Sequence, residues 1–129
     1  MKLKELLRDI DVLEQSAGGE LEITGICYDS RLVRPGNLFV AIVGFETDGH
    51  KYIDSAMEKG ASAVVCQSRP GDGIPFVRVG NSRLALAHMS RAWFGDPASK
   101  MTMIGVTGTN GKTTTTLLIK HMLETVCGA

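Results

Sequence analysis

Apolar residues recur with two different periods along this chain. Near the N-terminus they fall at helical spacing, which predicts an amphipathic helix that ends at the SAGGE segment; its apolar positions are Leu3, Leu6, Leu7 and Ile10. Four later segments, LEITGIC, LFVAIV, ASAVVC and IPFVRV, predict strands, the second and third of them buried. The RPGN segment after the first strand predicts a type II turn.

Short helices are predicted between and after these strands. One runs from Tyr52 to Lys59 and is stopped by Gly60, and another runs from an N-cap at Ser82 to about Phe94. Because strands alternate with helices, the sequence indicates an α/β fold.

The last part of the chain predicts the start of a second domain. After the linker GDPASK come an apolar strand, MTMIGV, the loop TGTNGK, and a helix with one apolar face formed by Ile119, Met122, Leu123 and Val126. A parallel strand needs neighbours on both sides, and none follows. We therefore expect two domains, 1–98 and 99–129, the second being the first strand, loop and helix of a truncated domain.

The glycine-rich loop before that helix is typical of a phosphate site. Gly111, Lys112 and Thr113 match the end of the G-x-x-x-x-G-K-[ST] pattern, although Val106 stands where the first glycine is usual. The free N–H groups at a helix start favour an anion, and a lysine there can reach phosphates. The alternative is a β-hairpin turning at Asn110-Gly111, which requires a strand to follow.

Composition narrows the class of protein. Basic and acidic residues number 14 each, so the chain lacks the positive charge expected for a nucleic-acid partner. Cys27, Cys66 and Cys127 are odd in number and widely spaced, which indicates reduced thiols in a cytoplasmic protein. We expect no export signal and no membrane association, because no long apolar run occurs.

Two stretches carry a resemblance to a known family. YDSRLVRPGNLFVAIVGFETDGH, residues 28–50, and IGVTGTNGKTTTT, residues 104–116, resemble the Mur ligases, which build the peptide stem of bacterial cell-wall precursors. Asn37 is a mild departure, since an acidic residue is common there, while Val106 agrees with the family's own loop. TGTNGKTTT favours the MurE branch, which adds the third stem residue, over the MurF branch.

The resemblance implies a small N-terminal UDP-binding domain, a mixed sheet with flanking helices, followed by the start of a P-loop ATPase domain. The implied activity is ATP-dependent formation of an amide bond through an acyl phosphate, with Mg²⁺. The substrates would be ATP, UDP-N-acetylmuramoyl-dipeptide and an amino acid, either diaminopimelate or lysine. The implied ATP-binding residues, with Lys112 catalytic and Thr113 also on the metal, are Gly108, Thr109, Asn110, Gly111, Lys112, Thr113 and Thr114. The implied residues for the UDP end are Tyr28, Ser30, Phe45, Glu46 and Thr47.

Several alternatives stay open at this point. Asp29 and Arg31 either pair with each other or cap a turn, or else they contact ligand. Asp48, Gly49 and His50 shape the loop, His50 as a hydrogen-bonding residue rather than a base. A MurF-type ligase, a folylpolyglutamate synthetase-like enzyme and a non-catalytic nucleotide-binding module are the competing functions. If the chain is a ligase fragment, we expect it to be inactive alone.

Overall fold

The computed structural model describes residues 1–101, 104–108 and 110–127, which divide into two compact units, Met1–Pro97 and Ala98–Ala129. The strands of the first unit are β1 (Val12–Gln15), β2 (Gly25–Cys27), β3 (Asn37–Val40), β4 (Ala63–Cys66) and β5 (Phe76–Val79). The helices are α1 (Leu3–Leu6), α2 (Ile53–Glu58), α3 (Ser82–Trp93) and, in the second unit, α4 (Lys112–Cys127), with 3-10 turns at Gly49–Tyr52 and Pro97–Lys100.

One five-stranded sheet of order β1-β5-β4-β3-β2 organises the first unit. Strands β2 to β5 are parallel, and β1 is antiparallel to β5 at one edge. The predicted α/β fold, a mixed sheet with flanking helices, is confirmed. No helix among the described residues combines the length and the apolar character that crossing a membrane requires.

The buried strands separate two apolar layers, because successive side chains point to opposite faces. Leu38 and Val40 pack with α1 and α3, whereas Phe39 packs with α2. Cys66 lies in the α2 layer, where burial raises the pKa of its thiol to about 11. That thiol is therefore protonated at neutral pH and unsuited to nucleophilic chemistry.

The N-terminal helix is shorter than predicted. Helix α1 ends at Leu6, and residues 12–15 form β1 instead of continuing the helix. Val12 pairs with Val79, and burial alternates along β1, so pairing with β5 outweighs the helical spacing of the preceding leucines.

The predicted turns agree with the backbone. Gly36 has a φ of 86°, and the Asn37 N–H donates to the Arg34 carbonyl at 3.1 Å, as a type II turn requires. The predicted cap of α3 is off by one residue. Asn81 is the N-cap and its side chain accepts from the Leu84 N–H at 3.0 Å.

Candidate functional site

The parallel strands β2 to β5 all end at one edge of the sheet, here called the carboxyl edge. In open α/β sheets, ligands bind outside the carboxyl ends of the strands. The loop after β2 begins at Tyr28, and the loop after β3 runs to Asp48. All five residues predicted to hold the UDP end therefore lie in loops of this edge.

A cavity of about 410 Å³ lies between these two loops. Its lining residues are Tyr28, Asp29, Ser30, Arg31, Thr47, Gly49 and Tyr52. Thr47 Oγ1 lies 3.3 Å from the Tyr52 hydroxyl, which links the second loop to the 3-10 turn after it. The structure thus brings Tyr28, Ser30 and Thr47 together around one space, with an exposed aromatic ring and two hydroxyls available to a ligand.

An ion pair borders the cavity. The Asp29 carboxylate accepts from the Arg31 backbone N–H at 3.0 Å and from its guanidinium at 2.7 Å. Of the two alternatives for these residues, the mutual pair is therefore present. The guanidinium beside it, helped by that backbone N–H, lowers the pKa of Asp29 to about 2. Lys59 Nζ donates to the Ser30 carbonyl at 2.8 Å and ties this loop to the end of α2.

The loop after β3 is a tight hairpin, residues 42–49, with Phe45 and Glu46 at its tip. The Gly44 N–H donates to the Thr47 carbonyl at 2.9 Å, and the Gly49 N–H donates to the Ile42 carbonyl at 2.8 Å. The Phe45 ring is fully exposed, with the Arg83 guanidinium 5.9 Å from its centre. Phe45 and Glu46 are not among the residues that line the cavity, unlike the other three residues predicted for the UDP end.

The segment Asp48-Gly49-His50 closes this hairpin. Asp48 Oδ1 accepts from the His50 backbone N–H at 3.0 Å and lies 2.6 Å from His50 Nδ1. His50 Nε2 accepts from the Gln67 N–H at 2.9 Å, directly after β4. As predicted, these residues shape the loop and His50 is a hydrogen-bonding residue.

The second unit contains the predicted glycine-rich loop and helix. Gly108 and Gly111 have φ values of 149° and 75°, and α4 begins directly at Lys112. Because a helix follows Gly111, the hairpin alternative is wrong. The predicted strand is also wrong over residues 104–106, which have no regular structure, while residues 102 and 103 lie outside the described residues, as does Thr109. No strand partner is present among the described residues of this unit.

Comparison with known proteins identifies the first unit. A family model described as the Mur ligase family, catalytic domain, matches residues 22–94, which include the cavity, the hairpin and the whole of α3. The chain belongs to the Mur ligase family. The match covers strands β2 to β5 and the carboxyl edge, so the candidate cavity lies within the matched part, whereas β1 lies before it.

Two curated relatives show how much of a Mur ligase this chain covers. It is 46% identical over 126 residues to the UDP-N-acetylmuramoyl-L-alanyl-D-glutamate–2,6-diaminopimelate ligase of Alkaliphilus metalliredigens, covering 96% of this chain and 26% of the relative. It is 48% identical over 127 residues to the UDP-N-acetylmuramyl-tripeptide synthetase of a Roseiflexus species, covering 96% and 25%. The chain thus spans about a quarter of the length of these Mur ligases.

Solved structures agree on the fold. The UDP-N-acetylmuramoylalanyl-D-glutamyl-2,6-diaminopimelate–D-alanyl-D-alanyl ligase of Acinetobacter baumannii superposes with a TM-score of 0.67 at 26% identity, covering 97% of this chain and 28% of that one. The MurF ligase of Thermotoga maritima in complex with ADP gives 0.59 at 31% identity, covering 83% and 25%. Both structural relatives are Mur ligases.

Sequence reasoning did not foresee the contacts of three residues at the carboxyl edge, and it considered Ser82 only as a helix cap. Gln67 Oε1 accepts from the buried Ser82 hydroxyl at 2.9 Å, and Arg83 donates to the Val43 carbonyl at 3.3 Å. No motif of the Mur ligase pattern includes them. The available signal was their position, Gln67 directly after β4 and the other two at the start of the helix that follows β5, because the ends of parallel strands meet at one edge.

Proposed function

We propose that this chain is the substrate-holding part of a Mur ligase of the MurE branch. Residues 1–98 bind the UDP end of UDP-N-acetylmuramoyl-L-Ala-D-Glu, and residues 99–129 carry the loop for ATP. The reaction is ATP-dependent amide bond formation that adds the third amino acid, diaminopimelate or lysine, in peptidoglycan precursor synthesis. The chain alone, without the rest of such a ligase, is inactive.

One observation carries the proposal for the UDP end: the cavity that Tyr28, Ser30 and Thr47 line together at the carboxyl edge. An aromatic ring can stack on uracil or pack against a sugar, and hydroxyl groups can donate to phosphate or accept from the base. Phe45 and Glu46 lie at the hairpin tip. In the proposal, they contact the substrate from outside the cavity.

The chemistry follows from the reactants. The free carboxylate of the substrate is a poor electrophile, so it first takes the γ-phosphoryl group of ATP and releases ADP. The amine of the incoming amino acid then attacks the acyl carbon, the C–O bond to phosphate breaks, and the amine loses a proton as the amide forms. A protein accelerates such steps mainly by positioning reactants and neutralising charge.

The loop before α4 fits a triphosphate. Helix α4 starts at Lys112, so its first N–H groups have no partner within the helix and the helix dipole favours an anion there. Bound Mg²⁺ would neutralise phosphate charge, with the Thr113 hydroxyl as its protein ligand. Thr116 lies one helical turn after Lys112, and its hydroxyl donates to the Lys112 carbonyl at 2.7 Å. The residues proposed to hold ATP are Gly108, Thr109, Asn110, Gly111, Lys112, Thr113 and Thr114.

Calorimetric titration of the 129-residue chain with UDP-N-acetylmuramoyl-L-Ala-D-Glu tests whether the chain binds this substrate. We expect micromolar binding, about −8 kcal/mol. Ser30→Ala should weaken it about tenfold, the usual effect of one lost hydrogen bond to a charged group. Ser90→Ala, on α3 in the other layer, is the control and should bind normally. Equal affinities for the two variants would show that the Ser30 hydroxyl does not contact the substrate.

A MurF-type ligase is the second candidate, because of the two solved structures named above. The structure from Thermotoga maritima is named a MurF ligase, and the one from Acinetobacter baumannii is named as the ligase that adds D-alanyl-D-alanine. The two candidates differ in the length of the peptide on the UDP substrate. Comparing the dipeptide and tripeptide forms in a full-length ligase that contains this chain separates them. Turnover of the dipeptide alone supports the MurE branch, and turnover of the tripeptide alone supports MurF. For the chain by itself, ADP release that depends on the dipeptide would contradict the proposed inactivity.

A further inference from the structure

Both ring nitrogens of His50 are engaged by the protein. Nδ1 lies 2.6 Å from Asp48 Oδ1, and Nε2 accepts from the Gln67 N–H at 2.9 Å. A backbone N–H can only donate, so Nε2 must be unprotonated and the proton must be on Nδ1, facing the carboxylate. The side chain is only 15% exposed. His50 therefore has no nitrogen left to act as a base or to contact a ligand.

These contacts attach the 42–49 hairpin to the end of β4. Gln67 continues the connection through its side chain, which accepts from the backbone N–H of Ser82 at 3.1 Å and from its hydroxyl. Arg83, the next residue, reaches back to the Val43 carbonyl at 3.3 Å. The hairpin is thus held from both ends by residues that follow two neighbouring parallel strands.

We propose that His50 is a positioning residue for the carboxyl edge. As the neutral Nδ1–H tautomer, it fixes the hairpin against β4 and so sets the place of Thr47 in the cavity wall. The effect on the substrate rests on the proposed function, whereas the attachment of the hairpin does not.

Two conservative variants of the full chain distinguish the contact of His50 with Asp48 from its contact with the Gln67 N–H. In His50→Asn the side-chain amide replaces Nδ1–H and keeps the donor to Asp48, but nothing accepts from the Gln67 N–H. In His50→Gln the amide oxygen reaches the Nε2 position and restores that acceptor. Three measurements apply to each variant: the melting temperature, amide hydrogen exchange at Gly44 and Gly49, and the Kd for UDP.

We expect His50→Asn to speed exchange at the Gly44 and Gly49 amides about tenfold, with the amides of β4 unchanged, and to weaken UDP binding by a similar factor. His50→Gln should recover most of both effects. In the wild type, nitrogen-15 shifts should show His50 protonated at Nδ1 only. Protonation at Nε2, unchanged exchange in His50→Asn, or equal losses in both variants would overturn the proposal.

These readouts remain informative if the proposed function fails. Should wild-type chain not bind UDP, the proposal for the UDP end is wrong, while the tautomer and the exchange rates still test the attachment of the hairpin. Should UDP bind equally well to the wild type and to His50→Asn despite faster exchange, His50 has no positioning role for this ligand.

Discussion

Gly49→Ala should destabilise the 42–49 hairpin by more than the lower backbone flexibility of alanine can explain. A Cβ at this position would lie 2.7 Å from the Ile42 nitrogen and 2.8 Å from its carbonyl oxygen, where ordinary contact begins at 3.4 Å. The strands of the hairpin must therefore separate by about 0.7 Å. That displacement breaks the 2.8 Å hydrogen bond from the Gly49 N–H to the Ile42 carbonyl.

The magnitude follows from the two effects together. A lost backbone hydrogen bond costs roughly 1 kcal/mol, and forcing extra volume into a packed contact costs about 1–3 kcal/mol. We expect the free energy of unfolding, measured by urea denaturation of the 129-residue chain, to fall by about 2–4 kcal/mol. Under the proposed function, UDP binding should weaken with it.

Gly71→Ala is the matched control for this change. A Cβ there meets nothing within 4 Å, and Gly71 does not have a positive φ. The substitution should be neutral or should stabilise by about 0.4–1 kcal/mol, since it restricts the unfolded chain. If Gly49→Ala proved as stable as Gly71→Ala, the close approach at Ile42 would not determine the shape of the hairpin.

Three further changes test other parts of the first unit. Arg31→Met should raise the pKa of Asp29 from about 2 toward 3.8, as measured by carbon-13 titration. In the wild type, the ion pair's contribution to stability is present above pH 3.8 and is lost as the pH falls through about 2. Asn81→Ala should cost about 1 kcal/mol in urea denaturation, because it removes the cap on the Leu84 N–H, whereas Asn81→Asp should not. Phe39→Ala, at a side chain 1% exposed, should lower the free energy of unfolding by about 3–5 kcal/mol in the same assay. A smaller loss would mean that the α2 layer closes into the space that the ring leaves.

The strands and turns of the first unit were predictable because their signals are local. Continuous apolar runs marked β3 and β4, and Pro35-Gly36 marked a turn that requires a positive φ. The N-terminus was mispredicted for a non-local reason. Its leucines do pack as one helical face, but β1 exists only because β5, more than 60 residues later, offers an unpaired edge.

The candidate site was also predictable only in part. Residues 28–50 were found because their motif is contiguous, yet the motif does not show that Thr47 lines the cavity whereas Phe45 lies beside Arg83. That separation depends on the tip of the hairpin and on Arg83, which comes from α3. A motif identifies the loop, whereas the positions of its side chains depend on contacts from other elements.

The contacts of the cavity wall lead to one physical conclusion about binding. Ser30 is fixed through its carbonyl by Lys59, and Thr47 belongs to a hairpin that His50 attaches to β4. Neither fixing residue lines the cavity. Ordering these loops before the ligand arrives removes an entropic cost from binding. If the cavity holds the UDP end as proposed, Lys59→Met and His50→Asn should therefore weaken UDP binding in calorimetric titration without removing any contact to the ligand.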